Sequence, residues 1–513
     1  LDGAVTRSIA GSASATLPAP VEGWDTREAL ADMPEKRAVI LDNWYPTTDK
    51  VNIRPGYTVH ATGLGGAVET LIEYTPNTGS SSLWGIAGGS IFNVTSAGAV
   101  GTAAVTGLTN SRWQYVNYGT AGGQFVVAVN GADAPRIYNG TTWATTPAIT
   151  GPTAANLVWI NAHQRRLWVG ERDSLTAWYG PVNTLGGAFS SFSFAGLAKR
   201  GGYLMAMGTW SRDGGDGQDD VAAWITSEGE CLVYQGTDPA TAGAWTLVGI
   251  FQLGKPIGRR CMIKAGADLL IVTDEGVVPL STILSIDRSQ TERVAVTQQV
   301  NRAFNQYVRD YGSLFGWEPM IYPRRTMLLF NVPTSSTTAD QIVFNTITRA
   351  PCRFTGIPAL TWALRGNDPY FGSSNGTVYK FDGGATSDAG TNINTDALQA
   401  FSYFRTPGQS KAFKRARPIF ESNTPPAIAV ELNVDFRIVP PSSIPTTLTS
   451  NAGVWDVAEW DVDVWGGDAD IYGRWLGIRG MGRSAALRMR TASTDLISGW
   501  IATDFTYVPG GQL

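Results

Sequence analysis

One signal recurs from about residue 65 to 385 and constrains the fold more than any other feature. It is a short apolar or alternating run, a glycine-bearing turn, and a second run. Its clearest copy is residues 368–384, DPYFGSSNGTVYKFDGG. Asn375 and Gly376 tolerate the positive φ that a tight two-residue hairpin needs, and the flanking runs are β-branched or aromatic. Looser copies cover 82–94, 124–143, 165–181, 222–239, 268–281, and 327–333 with 341–354. Their first apolar residues are Leu83, Phe125, Leu167, Ala223, Leu269, Met327 and Tyr370, at intervals of 42, 42, 56, 46, 58 and 43. A period of about 40–50 residues is what a β-propeller blade needs, because each small sheet buries both faces only by stacking on its neighbours. A sandwich also offers hairpins at comparable spacing, so the period favours a propeller while leaving other β architectures open.

The interruption of this pattern is helical. In 297–313, Val300, Phe304, Tyr307, Val308 and Tyr311 fall at i, i+4, i+7, i+8 and i+11, one face of a helix stopped by Gly312. This predicts a helical insertion near 283–315. A propeller has no need of a helix, so the stripe packs on a blade edge or on a neighbouring subunit, and Phe304 and Tyr307 are candidate interface residues.

Ahead of the repeats, residues 1–60 read as an N-terminal arm. Within it 26–33 predict a short helix ended by Pro34, 38–41 an apolar run, and 51–57 a strand followed by a Pro-Gly turn. The Ala/Ser/Gly-rich start lacks a continuous apolar core and reads as an arm ordered on assembly, not as a signal peptide. Residues 61–385 form the propeller. Beyond Gly384 a polar linker leads into alternating runs such as 427–439, separated by Pro-rich loops. The fold class is therefore all-β: a β-propeller with a helical insertion, plus a second β domain over 386–513 to which the N-terminal arm is a candidate contributor. In 454–467 Trp455, Trp460 and Trp465 stand five apart, a spacing that gives one stripe on neither strand nor helix, so they read as anchors for docking.

Composition narrows the function. Charge is 16% of 513 residues, below the usual quarter, while 59 glycines and 18 tryptophans suit a turn-dense β protein whose surface meets other protein. The net charge of −4 excludes a strongly basic DNA-binding domain, although a weakly charged wall can still enclose nucleic acid that slides past it. No apolar run is long enough for a membrane-spanning segment. Three widely spaced cysteines, Cys231, Cys261 and Cys352, read as free thiols of a reducing compartment.

Chemistry-bearing motifs fail on inspection. Residues 249–255 match the glycine and lysine spacing of a phosphate loop, but Pro256 brings neither the hydroxyl nor the amide hydrogen that loop requires. Asp213, Asp216, Asp219 and Asp220 cluster among glycines without the alternate spacing of a calcium loop, and read as a solvated inter-blade loop. The two histidines, His60 and His163, sit in neither a nucleophile-elbow nor a zinc-ligand context. Propeller glycosidases need only paired carboxylates, yet no full sialidase-type turn motif is present. No enzyme signature survives, and no cofactor or metal site is expected.

Several short motifs resemble one family. They are Gly23 to Arg27 (GWDTR), Met33-Pro34, Ala38 to Pro46 (AVILDNWYP) and Arg54 to Tyr57 (RPGY). Further along come Trp178 to Pro181 (WYGP), 234–239 (YQGTDP), 245–249 (WTLVG) and the Trp455/Trp460/Trp465 series. Together these resemble tail nozzle proteins of short-tailed, podovirus-type bacteriophages, also described as packaged-DNA stabilisation or distal tail tubular proteins. The resemblance implies a propeller-bearing virion subunit made in the host bacterial cytoplasm, six copies of which form the distal DNA exit channel at the tail tip. Its implied partners are further copies of itself, the tail adaptor ring, tail fibre or needle proteins, and phage DNA passing without sequence-specific binding. It implies no catalytic residue. Loops around Asp213 and Asp216 and the insertion bearing Phe304 and Tyr307 are then candidates for gating or subunit contact. The competing reading is a propeller tail protein that binds or hydrolyses host surface carbohydrate.

Overall fold

The computed structural model describes residues 11–211, 220–241, 243–266, 268–284, 291–442, 452–453, 464–465 and 470–512. The chain divides into two compact units: residues 58–341 with 357–383, and residues 1–57 with 342–356 and 384–513. The N-terminal arm is therefore no domain of its own, and the repeat region starts and ends two or three residues earlier than its spacing suggests.

The first unit is a propeller of seven blades among the described residues. Blade 1 holds Val68–Tyr74, Ser82–Ala87 and Ser90–Asn93; blade 2 holds Gln114–Thr120, Gly123–Val129, Arg136–Tyr138 and Trp143–Ala144. Blade 3 is Leu157–His163, Arg166–Glu171, Thr176–Tyr179 and Ser190–Ser193. Blade 4 is Leu204–Ser211, Asp220–Thr226, Glu230–Gly236 and Trp245–Gln252. Blade 5 has three strands, Met262–Ala265, Asp268–Thr273 and Gly276–Pro279. Blade 6 begins with Glu318–Tyr322 and Met327–Pro333, and the division between the units falls within its next strand, Ala339–Asn345. Blade 7 holds Thr361–Arg365, Asp368–Gly372 and Val378–Phe381.

All seven apolar markers, from Leu83 to Tyr370, fall in the second strand of their blade. That strand is flanked on both edges and covered on both faces, so it carries the least polar sequence. The first strands touch in succession around a ring, blade 2 to 3, 4, 5, 6, 7 and back to blade 1. Blades 1 and 2 are joined by Thr70, whose hydroxyl donates to the Ser111 carbonyl at 2.7 Å and accepts from the Trp113 amide at 2.9 Å. Closure is completed by an early strand, Tyr57–Thr62, which pairs onto the last strand of blade 7. Apolar clusters fill the clefts between blades, as where Ala61, Val68, Leu71, Ala363 and Tyr370 join blades 7 and 1.

The organising hairpin exists, with a looser turn than expected. Gly372 pairs with Val378, leaving five residues in the loop, and Ser373 bonds the Thr377 carbonyl through both its amide and its hydroxyl. Only Gly376 (φ 74°) takes the left-handed conformation there, whereas the strand ends on three such residues in a row, Asp382, Gly383 and Gly384.

The helical insertion is Asn301–Tyr311, entered through a 3₁₀ turn at Gln298–Val300. It packs on Gly276–Pro279, the last strand of the three-stranded blade 5, and on Met327–Pro333 of blade 6. A short sheet would otherwise expose a strand edge there, and covering that edge blocks stray pairing.

The second unit is built from two sheets. In one, the long strands Gln409–Ser422 and Ser498–Gln512 pair antiparallel, flanked by Ala13–Pro18, Val51–Ile53, Asp470–Gly473 and Leu476–Gly482. In the other, Arg37–Asp42 lies between Pro351–Phe354 and Ile393–Gln399, followed by Ala485–Ser493 and Ala429–Val434. The expected contribution of the N-terminal arm is thus real. Its residues 26–33 form no helix, however. Asp25 Oδ1 accepts from the amides of Arg27 and Glu28 at 2.8 and 2.9 Å, and its other oxygen takes Arg37 Nη1 at 2.6 Å. That local turn absorbs the capping group, and eight residues are too few to hold a helix without a packed face. The RPGY motif holds this unit together. Its buried Arg54 makes a bidentate pair with Asp388 (2.8 and 2.6 Å) and donates to the Asn43 side chain at 2.8 Å.

A candidate functional site at the propeller axis

The first strands converge on a cavity of about 210 Å³ lined by Gln114, Tyr115, Asn161, Met207, Arg260 and Glu318 among others. Five blades therefore contribute to one small space.

Arg260 closes it. This residue stands just ahead of the first strand of blade 5, and its guanidinium spends its donors on four other blades. Nη1 donates to Glu318 Oε2 of blade 6 at 3.2 Å and to Thr361 Oγ1 of blade 7 at 2.8 Å. Nη2 donates to the Glu69 carbonyl at 3.0 Å and Thr70 Oγ1 at 2.9 Å on blade 1, and to the Trp113 carbonyl at the start of blade 2 at 3.1 Å. The Phe315 ring lies 5.3 Å from the guanidinium. Both partners of the Arg260–Glu318 pair are largely buried.

Glu318 also accepts the Trp362 amide at 3.0 Å, so its carboxylate serves as a tie between blades 5, 6 and 7. Tyr115 is pushed up to about 12 by burial first and by the neighbouring Glu318 and Glu73 second, which keeps its hydroxyl protonated. Asn161 of blade 3 donates to the Met207 carbonyl of blade 4 at 2.7 Å. Such a space offers mutual satisfaction of polar groups, and its guanidinium and carboxylate are already committed.

Phe304 and Tyr307, singled out in the sequence, do not line this cavity. Phe304 is fully buried against Trp317, with ring centroids 6.0 Å apart, so it anchors the helix on its own chain and presents nothing to a neighbour. Tyr307 donates to Asp340 Oδ2 at 2.6 Å. Asp213, Asp216, Trp455 and Trp460 lie outside the described residues. Trp465 belongs to a short strand, Val464–Trp465, that pairs in parallel with Ala452–Gly453.

Both histidines are interior groups. His163 is lowered from 6.5 to about 4, by burial above all, with Nδ1 2.9 Å from Thr209 Oγ1 and its ring 5.6 Å from Trp245. His60 is lowered too, again by burial first, and contacts the Val94 carbonyl at 2.8 Å. The three thiols are buried and unpaired, and burial raises Cys231 and Cys261 to about 12. Among the described residues, no group of three or more His, Cys, Asp or Glu side chains is placed to hold a metal ion. None of the helices among them is long and apolar enough to cross a membrane.

The seven-sheet ring with its borrowed closing strand decides the fold. The chain is a β-propeller protein. No protein-family model matches it, and no curated protein matches it. Solved propellers do resemble it. The WD40 β-propeller domain of Doa1 aligns at 11% identity over 64% of this chain and 97% of its own, with a TM-score of 0.39. BBS1N, crystallised in complex with ARL6DN, aligns at 9% identity over 65% of this chain and 99% of its own, with a TM-score of 0.41. The computationally designed Ika8 protein aligns at 11% over 63% and 99%, with a TM-score of 0.38.

The Arg260 tie was invisible in the sequence. Its partners lie 58 to 191 residues away in the chain, and no linear pattern announces them. The one local hint is a pair of arginines, Arg259 and Arg260, directly ahead of an apolar strand.

Proposed function

We propose that the protein is a structural subunit of a virion tail nozzle, a ring of six copies enclosing the distal channel through which packaged DNA is retained and then released. The observation that carries the reading is the bridge that Arg260 makes across the propeller. A propeller whose blades 1, 2, 6 and 7 all bond one guanidinium of blade 5 is too narrow there to pass nucleic acid itself. It serves as a rigid wall segment, so a channel has to be enclosed between copies. The tail-nozzle motifs support the same reading, and three of them hold structural contacts. Trp24 and Arg353 stack at 5.5 Å, Arg54 locks Asp388, and Trp44 is buried beside Trp500.

The test is assembly. Purified protein, alone and mixed with its tail adaptor, is imaged by negative-stain microscopy and weighed by mass photometry. A six-fold ring with an open lumen is expected. A monomer under both conditions, or release of sugar from host surface glycans by the purified protein, overturns the reading.

A further inference from the structure

We propose that the solvent-facing side of the sheet formed by Gln409–Ser422 and Leu476–Gly482 binds the sugar-phosphate backbone of nucleic acid. The argument begins with the period of the second strand. Ile478 is buried, and a Cβ at Gly480 would meet Leu432 and Val434 within 3.0 Å, so even positions face the interior. Odd positions face water: Trp475, just ahead of the strand, Gly477, Arg479, Met481, and Arg483 just beyond it are all exposed.

The neighbouring strand adds to that side. Ala412 pairs with Met481 and Arg415 with Gly477, and directly opposed residues share a face, so Arg415 stands among them. A register shift between Phe413 and Arg415 leaves Lys414 exposed as well. Arg417 follows two positions on, its guanidinium 4.9 Å from the Trp475 ring. Buried Lys411 donates to the Arg483 carbonyl at 2.9 Å and fixes that end of the face.

Five cations thus gather here: Lys414, Arg415, Arg417, Arg479 and Arg483. Among the described residues the ion pair Arg417–Asp504, at 2.6 Å, is the only one they make. Asp435 is held by the backbone amides of Arg483 and Ser484 at 2.8 and 3.0 Å. In a chain with 39 basic and 43 acidic residues this concentration stands out. Alternate residues of a strand lie about 6.6 Å apart, well inside the Debye length, so the uncompensated cations repel one another until a polyanion covers them. A phosphodiester chain supplies that charge, and exposed Trp475 and Met481 offer apolar contact to sugars and bases. Cations matched to phosphates carry no base information, so the binding proposed is independent of sequence.

The inference rests on the nozzle reading, where DNA is the polyanion at hand. Full-length protein is titrated against a short labelled DNA duplex of mixed sequence by fluorescence anisotropy at several salt concentrations. Expected are dissociation constants of about 10⁻⁴–10⁻⁶ M at physiological salt and a log–log salt slope of about −3 to −5. The triple variant R415Q/R479Q/R483Q should keep the wild-type melting temperature and lose about three units of that slope, with binding at low salt weakened tenfold or more. Absence of binding at low salt, or a triple variant that binds like wild type, overturns the proposal. So does a face that ignores the duplex but binds a peptide of residues 454–470, which carries six carboxylates and no cation and would mark a contact between copies. Ring assembly of the same samples separates the two ideas. Rings without DNA binding sink this inference alone, and DNA binding without rings sinks the nozzle reading alone.

Discussion

At the scale of single residues, the propeller depends on Arg260. Its replacement by Met keeps much of the stem volume but strips Glu318 of its cation and leaves the Thr70, Thr361 and Trp113 acceptors inside a closed space. Breaking one side of a buried, hydrogen-bonded pair costs about 3–5 kcal/mol, and R260M is expected to lose that much in urea unfolding followed by tryptophan fluorescence. His163 governs acid stability in the same unit. Its folded value of about 4 lies below the ordinary 6.5, so the unfolded chain takes up the proton first as pH falls. The stability it contributes is present above pH 6.5 and declines between about 6.5 and 4, by up to about 3 kcal/mol. Unfolding free energies measured across that window should fall for the wild type and fall less steeply for H163Q.

At the scale of elements, Asn301–Tyr311 shows how a correct periodicity can leave its partner open. The stripe Val300, Phe304, Tyr307 predicts a buried face, and Val300 and Phe304 are indeed fully buried. The partner proves to be blade 5 and blade 6 of the same chain, where Trp317 and Asp340 receive Phe304 and Tyr307. F304A is therefore expected to cost about 3–5 kcal/mol of stability, read from denaturant midpoints. The oligomeric mass should stay unchanged, because no intersubunit contact is removed. The 26–33 segment is the opposite case. Its composition permits a helix, but Asp25 turns the chain by bonding the amides of Arg27 and Glu28 and the side chain of Arg37, a local competition that propensity alone does not resolve.

At the scale of the whole molecule, two features link fold to proposed role. Blade 7 is completed by a strand that precedes all seven blades, so the beginning and end of the repeat region hold each other. Inside it a single guanidinium, that of Arg260, ties blade 5 to four others. The charge distribution differs as sharply: a chain with net charge −4 carries one sheet face with five cations and one ion pair among its described residues. A near-neutral total hides that asymmetry.

The hairpins that mark the blades, their central strands and the inserted helix were legible in the sequence. A strand covered on both faces must be apolar whatever lies beside it, and a turn that needs positive φ selects glycine, as at Gly88, Gly89, Gly229 and Gly276. What the tertiary structure alone decided is which distant residues meet: Tyr57–Thr62 completing blade 7, Arg54 pairing with Asp388, and Arg260 reaching four other blades. Those contacts join positions tens to hundreds of residues apart through single side chains or single strands. They leave no period behind, and a period is what a sequence shows.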